Sequence, residues 1–205
     1  EDAAIQILNG GLSVGETEIS LSRLKADDNG VVLAGAGFFD PPATPLDEQG
    51  QGEPYGTYAF AAQLAVVEVD MELGTTKVLR MVAAHDVGKA INPTLVEGQI
   101  HGGIAQGLGL ALMEEYLPGH TENLHDYLIP TVGDMPEIEV ILVEDPDPNG
   151  PYGAKGVGEP GLVPTAPAIL AAIKSATGVR MQMVPATPHR LREAILAQGP
   201  QRKEA

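Results

Sequence analysis

The chain has 205 residues, no cysteine and a formal net charge of -16 at pH 7, which excludes a disulfide framework, a thiolate zinc site and a cysteine-held iron-sulfur cluster within it. The negative field repels polyphosphate backbones, so nucleic acid is not an expected partner. With 43% hydrophobic and 20% charged residues a packed core is expected, and no apolar run approaches the roughly 20 residues of a membrane span.

No charged-then-apolar leader opens the chain, and the expected compartment is the cytoplasm, with the periplasm as the alternative. The first residue is Glu1 rather than Met, which points to a natural amino terminus lying elsewhere. Residues 1 to 40 hold short apolar alternations at Ile5, Ile7 and Val31 to Ala34, separated by Gly10-Gly11 and Asp28-Asn29-Gly30; short strands are expected there. Pro, Gly, Asp and Glu then accumulate from Asp40 to Pro54 without periodicity, marking a surface connection and the best internal boundary.

Thr57 to Asp70 and Thr76 to Ala84, flanking Leu73-Gly74, are rich in Val, Leu and Met and predict a β-hairpin. Val96, Ile100, Ile104, Leu108, Leu112 and Tyr116 recur every fourth residue, predicting a helix. Glu137 to Glu144 and Val179 to Val184 alternate as strands do. Thr165 reads as the cap of a helix over Ala166 to Ala176 that Gly178 stops, and Thr187-Pro188 opens a last helix ending at Gly199. Strands interleaved with helices give an α/β or α+β layered domain.

The central helix carries five glycines: Gly98, Gly102, Gly103, Gly107 and Gly109. Together they sacrifice about 4 to 5 kcal/mol of helix propensity relative to alanine. Two compensations are open: close packing against another backbone, or approach of a ligand's phosphates and rings. Gln99 and Gln106 lie two turns apart near one face, and their amides suit the edge of a heterocycle.

The run Asn149 to Gly161 is the other unusual stretch. Gly156, Gly158 and Gly161 formally satisfy G-x-G-x-x-G, but Pro160, Pro164 and Pro167 obstruct a helix there and the acidic residue expected downstream is missing, so a dinucleotide-binding turn is disfavoured. Lys155 lacks the flanking residues of a phosphate-binding loop. What remains is a glycine-rich nest of amides ending in Glu159, a carboxylate between Gly158 and Pro160 that can act as a positioned base or be a solvated loop residue. The five histidines show no metal-binding spacing, and there is no nucleophile elbow.

The order Val67-Glu68-Val69-Asp70, Asp86-Val87-Gly88, Ile91-Asn92-Pro93, Gly98-Gln99 through Gln106-Gly107, and Gly153-Ala154-Lys155-Gly156-Val157-Gly158-Glu159 resembles the molybdopterin-binding large subunit of the molybdenum hydroxylases, the xanthine dehydrogenase and aldehyde oxidase family. The resemblance covers residues 53 to 195. It implies a mixed-sheet domain, the carboxy-terminal part of that subunit, over residues 53–205, with residues 1–52 continuing a lobe largely absent from this chain.

The resemblance further implies molybdopterin, or its cytosine dinucleotide, as cofactor, with molybdenum held by the pterin dithiolene and by no protein side chain. Gln99, Gly102, Gln106, Lys155, Gly156, Val157 and Gly158 become cofactor-binding candidates. Glu159 becomes the base for hydroxylation of an electron-poor carbon with water-derived oxygen. The implied partners are the other part of the molybdopterin subunit, iron-sulfur and flavin subunits carrying those centres, and a small substrate: an aldehyde, a purine or another N-heterocycle. Many relatives carry His where this chain has Gln63. A scaffold or maturation subunit that keeps the fold without catalysis, and a nucleotide-binding domain using the glycine loop, stay open beside this reading.

Overall fold

Backbone pairing in the computed structural model, which describes residues 5–8, 10–40 and 42–198, builds two separate sheets. The chain divides into two units, Glu1–Asp40 and Pro41–Ala205. In the first, β1 (Ile5–Leu8), β2 (Gly11–Val14) and β3 (Thr17–Ser20) form an antiparallel meander.

Val31 to Ala34 forms no strand, contrary to expectation. Asp27 captures the amides of Asn29 and Val31 with its carboxylate and that of Gly30 with its carbonyl, which satisfies locally the donors a ladder would use. Val31, Val32 and Leu33 stay exposed, without the burial that sustains strand propensity.

In the second unit the expected hairpin forms from β4 (Ala61–Val69) and β5 (Thr76–Asp86), and β6 (Glu137–Val143) joins β5 in parallel, in the order β4-β5-β6. The sheet is therefore mixed, with β5 central. A bulge opposite Val66 and Val67 shifts the pleat of β5, so both Val78 and Met81 face inward although three residues apart. The long return from β5 to β6 contains α1 (Pro93–Leu112), as a parallel pair requires. Helix α2 (Thr165–Thr177) and α3 (Pro188–Gln198) complete the layer.

Ile100, Ile104 and Leu108 of α1, Ile169 and Ile173 of α2 and Leu191 of α3 close over Val78, Met81 and Ala83 of the sheet. Asn92 caps α1 by accepting from the Leu95 amide, with Pro93 in the first turn. The helix stops at Leu112, short of the predicted Tyr116, because the Met113 and Glu114 amides both turn back to the Gly109 carbonyl.

Two sequence expectations change further. Val179 to Val184 is not a strand; its alternation reflects Val179 buried in the core and Met183 in solvent, with Ala186 bonding to Ala111 of α1 instead of to a strand. Thr165 is the first residue of α2 rather than its cap. Gly178 does end α2, left-handed at φ 76, whereas the stop assigned to Gly199 lies outside the described residues.

Candidate active site

Four of the five glycines of α1, Gly98, Gly102, Gly103 and Gly107, divide into two sets. A Cβ on Gly103 would lie 2.5 Å from the carbonyl carbon of Gly161, and one on Gly107 would lie 2.4 Å from Thr165 Cβ. These glycines let α1 press against the turn that follows the glycine loop. Around Gly98 and Gly102 a Cβ would meet nothing within 4 Å, so packing inside the chain does not account for them. With Gln99 and Gln106 they form the exposed face of the helix, and neither glutamine amide has a hydrogen-bond partner among the described residues.

The glycine loop is sewn to the end of β5. Gly88 bridges Ala154, the Lys155 amide donates to the Val87 carbonyl at 3.0 Å and the Lys89 amide to the Gly153 carbonyl at 2.8 Å. Gly88 holds φ +63, and a Cβ there would sit 2.3 Å from the Gly153 oxygen, so both its conformation and its space require glycine. Lys155 Nζ donates to Asp86 Oδ2 at 2.6 Å, and the two side chains are 7% and 9% exposed. Burial alone would push the Asp86 carboxyl up, but the Lys155 and Gly88 hydrogen bonds outweigh it and hold it below the ordinary value. The hydrogen bond to Asp86 raises the Lys155 ammonium above its usual value.

The far end of the loop is held by a polar cluster. Gln63 Nε2 donates to the Gly161 carbonyl at 3.0 Å, while Gln63 Oε1 accepts from Thr165 Oγ1 at 2.7 Å. This fixes the amide orientation, so His85 Nε2, 3.2 Å away, is the acceptor and its proton sits on Nδ1. Nδ1 is buried without a partner, and burial lowers the imidazole below its ordinary value. His85 is thus neutral.

Between these anchors the amides of Gly156, Val157 and Gly158 have no partner among the described residues. Gly156, Gly158 and Glu159 line a cavity of about 810 Å³ with Tyr55, Tyr58 and Val163. The two tyrosine rings stand 6.1 Å apart at 59°. Val157 turns the other way, into a cavity of about 220 Å³ that it shares with Gln99 and Lys155. Gly102 and Gln106 line neither cavity and continue the exposed face of α1. Glu159 starts a short 3-10 turn, its carbonyl accepting from the Leu162 and Val163 amides. Its carboxylate is exposed and has no hydrogen-bond or ion-pair partner among the described residues.

Sequence reasoning passed over Tyr55, Tyr58, Asp86 as an ion-pair partner, and Gln63 with Thr165. In a chain with 4% aromatic residues, two tyrosines three positions apart before the hairpin are a usable signal. The partners of Gln63 and Asp86 are distant in sequence and leave none.

A family model described as the molybdopterin cofactor-binding domain matches residues 1–136. The chain belongs to that family. The xanthine dehydrogenase molybdenum-binding subunit of Escherichia coli O157:H7 is 41% identical over 147 residues, 69% of this chain and 20% of that protein. The aldehyde oxidoreductase of Megalodesulfovibrio gigas is 38% identical over 181 residues, 85% of this chain and 20% of that one. Among solved structures, aldehyde oxidoreductase from Desulfovibrio gigas superposes with a TM-score of 0.72 at 39% identity, covering 75% of this chain and 17% of that one. This molybdopterin-binding domain therefore spans about a fifth of the curated relatives it matches, and the loop carrying Glu159 lies beyond the stretch that the family model matches.

The domain's residues fit a pterin cofactor. Unfilled space at Gly98, Gly102, Gly156 and Gly158, unpartnered loop amides and the free Gln99 amide offer room and hydrogen bonds to a flat, anionic group. Among the described residues no three His, Cys, Asp or Glu side chains gather as metal ligands, and no helix is long and apolar enough to cross a membrane.

Proposed function

We propose that this domain binds molybdopterin within a molybdenum hydroxylase and that Glu159 is the base for hydroxylation of an electron-poor carbon with water-derived oxygen. The observation that carries the reading is the unpartnered, exposed Glu159 carboxylate, set on a locked turn at the wall of the 810 Å³ cavity. Neither neutralised by a cation nor committed to a structural hydrogen bond, it is available to accept a proton.

When bound, the cofactor supplies the two-electron redox chemistry, with the dithiolene holding its molybdenum. Gln99 pairs with the edge of the pterin through both amide functions. The amides of Gly156, Val157 and Gly158 receive its anionic groups, and Gly98 and Gly102 let it approach the helix. Gln106 extends this surface by two turns. Tyr55 and Tyr58 give the cavity an aromatic wall that suits flat substrates. Two relatives are named for xanthine and aldehyde oxidation, and we assign the same substrate range: aldehydes, purines and other N-heterocycles. Molybdopterin or its cytosine dinucleotide, the remainder of the molybdopterin subunit, and iron-sulfur and flavin subunits complete the proposed assembly.

Metal and pterin analysis of the assembled complex tests the binding half of the proposal. Gln99→Ala leaves pterin groups unpaired at about 1 to 3 kcal/mol, so molybdenum content falls, whereas Gln106→Ala lowers it less. Full molybdenum in the Gln99 variant removes that residue from the site. A scaffold subunit gives complexes whose activity is indifferent to Glu159.

A further inference from the structure

We infer that Lys155 is a positioning residue for Glu159: its buried ion pair with Asp86 fixes the near end of the loop whose far end is clipped by Gln63 and Thr165, and so sets where the carboxylate stands. The inference rests on the reading of Glu159 as the base.

Lys155 was a cofactor-binding candidate from sequence, yet its ammonium and its backbone amide are both engaged within the chain. The ammonium is 2.6 Å from Asp86 and 3.8 Å from Asp145, and the amide is bonded to Val87. Asp86 in turn ends the central strand, and its other oxygen accepts from the Gly88 amide at 3.0 Å. The pair therefore joins the loop to the central strand, which is paired on both sides. At the far end Gly161 accepts from Gln63, whose own Oε1 accepts from Thr165 Oγ1, and lies against α1, where a Cβ would be 3.3 Å from Ile100 Cα. Only five residues, Gly156 to Pro160, separate the anchors, and two of them are glycines with open space around them. Up to the 3-10 turn that begins at Glu159, Gly156 and Gly158 lend the span little stiffness, so its course is set by its ends. Releasing one end by even 1 Å displaces a base enough to cost about 100-fold in rate.

The test is a double-mutant cycle in the complete molybdenum enzyme, reading the reductive half-reaction rate per bound molybdenum for wild type, Lys155→Met, Glu159→Gln and both together. Positioning predicts that Lys155→Met keeps its molybdenum, loses about tenfold or more in rate, and costs nothing further once Glu159 is Gln. Lys155→Arg, which restores the pair, recovers most of the rate. If Lys155→Met fails to assemble, Asp86→Asn releases the same anchor with little change in shape, and the same coupling with Glu159→Gln is expected. Loss of molybdenum in proportion to rate, or a loss that multiplies with that of Glu159→Gln, overturns the inference and returns Lys155 to cofactor contact. A normal rate in Glu159→Gln alone overturns the reading of the base itself, so the two failures are distinguishable.

Discussion

At the scale of single residues, the two sets of helix glycines predict opposite responses to alanine. Gly102→Ala fills open space and gains about 0.8 to 1.0 kcal/mol of helix propensity, so denaturant unfolding of the chain shows a more stable domain, while the assembled enzyme retains less molybdenum. Gly103→Ala drives a methyl against the Gly161 backbone, and the same unfolding experiment shows a loss that outweighs that gain. Equal responses from the two variants contradict the division. His85 predicts a pH effect: burial lowers its imidazole, so the unfolded chain takes up a proton that the folded one refuses. Its stabilising contribution is full above about 6.5, the ordinary imidazole value, and declines as pH falls below it, by at most about 1.4 kcal/mol per unit. Denaturation midpoints between pH 7 and 5 follow this slope, which His85→Leu removes.

At the scale of elements, the sequence was readable wherever one periodicity met burial. The β4–β5 hairpin and the three helices appear where the patterns place them, because each presents an apolar stripe to one shared core. Val179 to Val184 misled because alternation reports burial without reporting a ladder partner. Val31 to Ala34 misled because an aspartate three residues upstream of Gly30 satisfies the local donors before a sheet can. The glycine helix was legible as an anomaly, but the assignment of Gly103 and Gly107 to packing and of Gly98 and Gly102 to open space needs the neighbouring turn. Glu159 stood out in its loop as either a positioned base or a solvated residue, whereas the anchors of that loop, Gln63 to Gly161 and Lys155 to Asp86, are long-range pairs that periodicity cannot register. The Asp86–Lys155 anchor has its own pH window. The lowered carboxyl keeps the pair charged until pH falls below the ordinary carboxylate range, and the raised ammonium keeps it until pH rises beyond the ordinary lysine range. The loop is accordingly held throughout the neutral range.

At the scale of the whole molecule, the domain spans about a fifth of its relatives and offers a pterin one helix face and one loop. On the proposed reading such a partial surface needs the rest of the assembly to hold its cofactor, so the chain expressed singly is predicted to contain negligible molybdenum, and stoichiometric metal in it contradicts that reading. Whether Glu159 is the proton acceptor is decided by the rate of the reductive half-reaction per bound molybdenum in the assembled Glu159→Gln enzyme. The amide preserves size but cannot take the proton, so the account predicts normal molybdenum content and a rate lower by at least about 10² to 10⁴-fold; a rate within about threefold of wild type contradicts it.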